Sequence, residues 1–165
     1  MTARKSKYVK KISGIFLEKT KEFFVQTGSP EETENIGCLL AKWVKKHRIN
    51  CVIFVGPFGT GKTTMIRGMI RYLTGENIIT SPSFSIVNEY ISKDFSIFHF
   101  DFYRIKSPQE LESFGFSQYL DKGLLLIEWP EIGVNKIPLK FIKVSMEFDG
   151  LKSRNITITH EKTYT

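Results

Sequence analysis

The stretch "CVIFVGPFGTGKTT", residues 51–64, decides the fold. Five apolar residues from Cys51 to Val55 run without a polar break, as a strand does when both faces of its sheet are covered. Gly56, Gly59 and Gly61 follow, then Lys62, Thr63 and Thr64. Behind them Met65, Ile66, Met69, Ile70 and Leu73 recur at helical spacing, and Gly75 marks the stop. Gly56, Gly61, Lys62 and Thr63 match G-x-x-x-x-G-K-[ST] in the setting that this motif requires, a strand before it and an amphipathic helix after it. The spacing has a mechanical reason. Glycines let backbone N–H groups turn inward around a phosphate with no side chain in the way. The helix aims its positive end at the same point. Lys62 adds a full charge for the outer phosphates, and the Thr63 hydroxyl is a Mg²⁺ ligand.

A phosphate cradle with chemistry to perform also needs a carboxylate, to hold the cation or to position water. Ligands of an open parallel sheet lie beyond the carboxyl ends of its strands. Two acids close apolar runs at such places: Asp101 in "FHFDFYR" and Glu128 in "LLLIEW". Trp129, directly after Glu128, reads equally as an edge aromatic or as part of a partner surface.

Working outward, "EFFVQT" reads as a first strand. "SPEE" reads as a capping box, with Ser29 as N-cap, Pro30 at the first helical position and Glu32 three residues after the cap. Ile36, Leu39, Leu40, Trp43, Val44 and His47 continue that helix. Lys45, Lys46, His47 and Arg48 gather at its negative end, so His47 reads as a dipole or packing residue. "SPSFSIVNEY" is a loop leading into a strand, "SKD" a turn and "FSIFHFDFY" the returning strand. "SPQE" repeats the capping device at Ser107, Pro108 and Glu110, with short helical pieces to about Leu120. "LKFIKVSMEF" and "RNITIT" around "DG" make a C-terminal hairpin. The expected architecture is α/β: a P-loop NTPase-like mixed sheet with a parallel core, antiparallel edge hairpins and helices on both faces.

At 165 residues, 41% hydrophobic and 25% charged, the chain suits one core. The expected organisation is a basic extension over 1–20 and a single P-loop domain over 21–165. No apolar run nears the roughly 18 residues that a membrane span requires. The net charge is +7, but Arg4, Lys5, Lys7, Lys10 and Lys11 supply five of those charges from a short arm. That location weakens a nucleic-acid reading for the body of the chain; the arm reads as a solvated tail, with electrostatic contact to RNA or an acidic partner left open. Cys38 and Cys51 sit in apolar patterns without metal-ligand spacing, so they read as buried, reduced thiols of a cytoplasmic protein.

Four segments in order, "SPEETENIGCLLA", "GPFGTGKTT", "SPSFSIVNEY…FHFDFYRI" with "ELESFGF", and "LLLIEWPE", resemble the TsaE family (formerly YjeE) over about residues 27–132. The resemblance implies a small ATPase required for threonylcarbamoyladenosine formation on tRNA. It implies action with TsaB and TsaD, contact with tRNA only through that assembly, and no membrane or DNA partner. ATP and Mg²⁺ are the implied cofactors. The implied ATP-binding residues are Gly56, Gly59, Thr60, Gly61, Lys62, Thr63 and Thr64. Thr63 and Glu128 would hold the metal. Glu128, Asp101 and Lys62 would serve hydrolysis, Ser83 would lie on a switch-like loop near the γ-phosphate, and Trp129 would face a partner. Residues around Ser29 and Pro30 would approach the adenine. Two departures stand out. Pro57 and Phe58 replace the acid that usually follows the first glycine, leaving the N–H groups of residues 59–63 available. "SPSF" replaces the usual "SPTF", keeping a hydroxyl at Ser83. Two other functions share the glycine loop: a small-molecule kinase, and a nucleotide-regulated binding module without turnover. The first needs an arginine-bearing lid, and no arginine occurs between Ser107 and Glu131. The acids at two strand ends weigh against the second.

Overall fold

The computed structural model describes residues 22–138 and 140–161; the basic extension expected over 1–20 lies outside them. One seven-stranded sheet runs through the described chain. Its strands are β1 (Glu22–Thr27), β2 (Cys51–Val55), β3 (Val87–Ile91), β4 (Ser96–Asp101), β5 (Gly123–Glu128), β6 (Phe141–Asp149) and β7 (Ser153–Glu161). Across the sheet the order is β1-β7-β6-β2-β5-β4-β3. The four central strands β6, β2, β5 and β4 are parallel, while β3 on one side and β7 and β1 on the other are antiparallel to their neighbours. The expected hairpin β6–β7 is present, but β6 lies inside the sheet against β2. The first strand, β1, closes that edge by pairing with the last.

Helices α1 (Pro30–His47) and α2 (Lys62–Thr74) cover one face. A six-residue α3 (Pro108–Ser113) and two 3-10 segments, Phe116–Tyr119 and Pro130–Lys136, lie toward the other. Both capping serines work as their sequences require. Ser29 Oγ accepts from Glu32 N (3.1 Å) and Ser107 Oγ from Glu110 N (3.1 Å). The reciprocal carboxylate bonds fall one residue earlier than in a standard box, on Gly28 N and Lys106 N. His47 is exposed; it stacks on Trp43 (4.2 Å between centroids) and bonds its carbonyl.

Two glycines allow α1 to press directly on α2. A Cβ at Gly37 would stand 2.1 Å from the Met65 carbonyl oxygen, and one at Gly68 2.0 Å from that of Glu34. Glu34 then receives Arg71 (2.5 Å) and Arg67 (3.4 Å) across the same seam, and the half-buried Cys38 bonds the Gly68 carbonyl. The glycine loop is thereby anchored to a helix that is itself braced by a second one.

Strand alternation sorts the core into two layers. Val52, Phe54, Leu124, Leu126 and Ile97 meet the α1/α2 layer, including Met65, Ile66, Met69 and Ile70. Cys51, Ile53, Leu125, Ile127, Phe98 and Phe100 meet Phe102, Leu111 and Phe116 on the opposite side. Cys51 is fully buried, and desolvation holds its thiol protonated by pushing its pKa far up.

Candidate nucleotide-binding site

The loop from Gly56 to Gly61 joins β2 to α2. Gly56 adopts φ 136°, and a Cβ there would meet the Met146 carbonyl oxygen of β6 at 2.1 Å, so the first position of the loop admits only glycine. Gly61 caps α2 in the left-handed region at φ 99°. Between them Thr60 is buried and braces the turn, giving both its hydroxyl (2.8 Å) and its N–H (3.4 Å) to the Pro57 carbonyl. Thr60 therefore secures the loop through its side chain, and its N–H, expected to be available to a phosphate, is taken by that carbonyl instead. Pro57 and Phe58 are exposed and leave the loop's course intact.

Lys62 begins α2 with only 4% of its surface exposed. Its Nζ donates to the carbonyls of Gly56 (2.7 Å) and Pro57 (3.0 Å) and lies 4.1 Å from the centre of the Trp129 ring. Burial lowers its pKa from the ordinary lysine value, while Glu128, Asp101 and Glu131 act in the opposite direction.

The parallel register brings the two strand-end acids together. Glu128 stands opposite both Phe54 on β2 and Asp101 on β4. Both acids are buried, at 3% and 6% exposure. The Thr63 hydroxyl donates to Glu128 Oε1 (2.8 Å) and Oε2 (3.0 Å). Asp101 is held by Ser83 Oγ (2.6 Å) at Oδ2 and by the Tyr103 N–H (3.0 Å) at Oδ1. Ser83 shares a further bond with Ser81 (2.8 Å). Ile86 ends this loop at φ 68°, a strained conformation for a β-branched residue, and its carbonyl is tied to Asp101 N (3.0 Å).

These groups line one cleft of about 430 Å³: Gly59, Gly61, Lys62, Thr63 and Thr64 on the loop side, and Ser83, Asp101, Glu128 and Trp129 opposite. Trp129 is half-buried in the left-handed region at φ 56°, which turns the chain out of β5 and swings its ring over Lys62. Phe58 and Tyr103 extend the aromatic rim, with Tyr103 5.1 Å from Trp129 and 6.5 Å from Phe58. Each residue singled out for phosphate, cation or strand-end chemistry thus lies in or beside a single cleft.

One site residue escaped the sequence reading. His99 is fully buried and its Nε2–H donates to Glu128 Oε1 (2.9 Å). Its signal was the period of two along "IFHFD", which puts Ile97, His99 and Asp101 on one face. Pairing His99 with Glu128 required the β4–β5 register, which no local pattern contains.

A cradle that opens a helix over the carboxyl ends of a parallel sheet makes this a P-loop protein of the α/β class. Residues 27–156 match the family model described as threonylcarbamoyl adenosine biosynthesis protein TsaE. Among similar proteins, the tRNA threonylcarbamoyladenosine biosynthesis protein TsaE of Rickettsia conorii is 40% identical over 81% of this chain and 77% of its own. The protein of that name from Bacillus subtilis is 31% identical over 84% of this chain and 86% of its own. The crystal structure of Bacillus subtilis YdiB superposes with a TM-score of 0.67 at 26% identity, covering 86% of each chain. The chain belongs to the TsaE family.

Proposed function

We propose that this chain is an ATP-binding and ATP-hydrolysing subunit required for threonylcarbamoyladenosine modification of tRNA, acting in the cytoplasm with TsaB and TsaD homologues and meeting tRNA through that assembly. We assign the activity to one domain over residues 21–165, preceded by the basic extension. The observation that carries the enzymatic part is the Thr63–Glu128 pair: a hydroxyl at the head of the phosphate loop bonded to a buried strand-end carboxylate. Family membership supports the pathway.

The residues fit a Mg²⁺–nucleotide. The cleft volume suits a nucleotide's phosphates. Among the described residues no cluster of three His, Cys, Asp or Glu could cage a metal. That suits Mg²⁺, which takes one or two protein oxygens plus phosphate oxygens. Thr63 and Glu128 would supply those oxygens. When bound, the cation supplies charge neutralisation on the phosphates.

The loop from Gly56 through Gly61, with Thr63 and Thr64, holds the phosphates by backbone N–H groups. Lys62 leaves its carbonyl partners and Trp129 to place its charge on the outer phosphates. Glu128 orients the attacking water. Asp101 shares this task, and Ser83, bonded to it, couples the loop over residues 81–86 to the hydrolytic centre. Trp129, with Tyr103 and Phe58 beside it, faces the partner that completes the site. The tested variant is Glu128→Gln, which keeps size and loses charge. ATP should still bind, and turnover in the presence of TsaB, TsaD and tRNA should fall at least ~10²-fold. Parental turnover in that assembly would remove Glu128 from the mechanism.

A further inference from the structure

We infer that His99 is a positioning residue for Glu128: its Nε2–H pins Oε1 and leaves Oε2 as the oxygen that works in the cleft. The inference rests on the reading of Glu128 given above. Oε1 receives both His99 (2.9 Å) and Thr63 (2.8 Å), whereas Oε2 receives Thr63 alone among the described residues. When the Thr63 hydroxyl turns to a ligand, His99 is the donor that keeps the carboxylate from rotating. The arrangement matches the way outer partners fix the orientation of a metal-binding group.

Two features separate this from ordinary core packing. His99 has no exposed surface, and among the described residues its Nδ1 is buried without a hydrogen-bond partner. An imidazole buried with one unsatisfied nitrogen costs free energy that an apolar side chain would not. Second, the carboxylate can only accept, so Nε2 must carry the proton. His99 is therefore a one-directional donor aimed at Glu128. Ile97 and Asp101, its neighbours on the same face, fix the ring's place on β4, and the Asp101↔Glu128 register fixes the distance.

The test uses the full chain with three substitutions at one position, and Mn²⁺ as a spectroscopic probe. His99→Gln reaches the Nε2 position with an amide N–H, His99→Asn reaches only the Nδ1 position, and His99→Leu fills the space without a donor. Mn²⁺ affinity in the presence of nucleotide is read by electron paramagnetic resonance, and turnover is measured with the partners present. Metal-free nucleotide affinity and thermal melting serve as controls. We expect His99→Leu to lose ~10-fold or more in Mn²⁺ affinity and in turnover, with metal-free nucleotide binding unchanged. His99→Gln should recover most of both, and His99→Asn should not. If His99→Leu does not fold, the Gln and Asn pair decides, since both are small neutral amides. Equal behaviour of Gln and Asn, or parental values for His99→Leu, overturns the proposal. Glu128→Gln is measured alongside. If it is impaired while the His99 variants are not, only the positioning role falls. If Glu128→Gln itself leaves Mn²⁺ affinity and turnover unchanged, the reading of Glu128 falls, and this inference with it.

Discussion

The two faces of the sheet are built from alternate residues of the same strands, yet they differ in kind. On the face toward α3, Ile53, Leu125, Ile127, Phe98 and Phe100 are apolar from end to end, and Phe100 packs edge-on against Phe116 (5.1 Å) and Tyr119 (5.3 Å). On the face toward α1 and α2 the same strands begin apolar, at Ile97, Leu124 and Leu126. They end polar, at His99, Asp101 and Glu128, all buried. One face is a uniform support. The other changes character along its length, and the change coincides with the start of α2. A site of buried charges is tolerable there because each carboxylate meets donors: Thr63 and His99 for Glu128, Ser83 and the Tyr103 N–H for Asp101.

This contrast can be broken from either side. The largest effect should come from the supporting face. Phe100→Ala removes a buried ring from an aromatic cluster and should cost ~3–5 kcal/mol of folding stability. The folded fraction should keep its nucleotide affinity, because the cleft lies on the other face. Denaturant unfolding with parallel calorimetry checks both parts. A large loss of affinity in folded protein would show that the two faces are not separable.

On the working face the expected pattern is reversed. Lys62→Ala should cost roughly 1.5–3 kcal/mol of ATP binding, the scale of a charge-assisted hydrogen bond, with little loss of stability. The lysine's pKa is lowered by burial, so the unfolded chain holds its proton more tightly than the unliganded native state. Unliganded stability should therefore rise with pH between the lowered native value and the ordinary lysine range, and Lys62→Ala should flatten that slope. Unchanged ATP binding in a folded variant would remove the lysine from the phosphate site.

The smallest effect on nucleotide binding sharpens the comparison within the working face by loosening its support. Gly37→Ala pushes a methyl into the Met65 backbone. Overpacking of ~1–3 kcal/mol is partly offset by the ~1 kcal/mol gain in helix propensity of alanine over glycine. Because the clash is with backbone, the two helices must part, and a net loss of stability is expected, accompanied by a smaller weakening of nucleotide binding because α2 carries the loop. Melting and ATP titration together test it. Full affinity in a destabilised variant would show that α1 supports the fold and not the site.

Much of this was legible from the chain alone. The glycine loop, its lysine and its threonine are contiguous, so their chemistry is written in local order, and strand, loop and helix formed where hydrophobic periodicity put them. Ser29 and Ser107 cap helices because capping is a contact between near neighbours. Asp101 and Glu128 could be singled out one at a time, as acids closing apolar runs. Their meeting could not be read, because parallel strands joined by long crossovers carry no short-range signal of register. The placement of β1 beside β7, the bond from Ser83 to Asp101 and the reach of Trp129 over Lys62 belong to the same class. His99 shows the division most sharply. Its face follows from the two-residue period of a strand, a property of the sequence. Its partner is 29 residues away on β5, and only the packed sheet could bring the two within hydrogen-bonding distance.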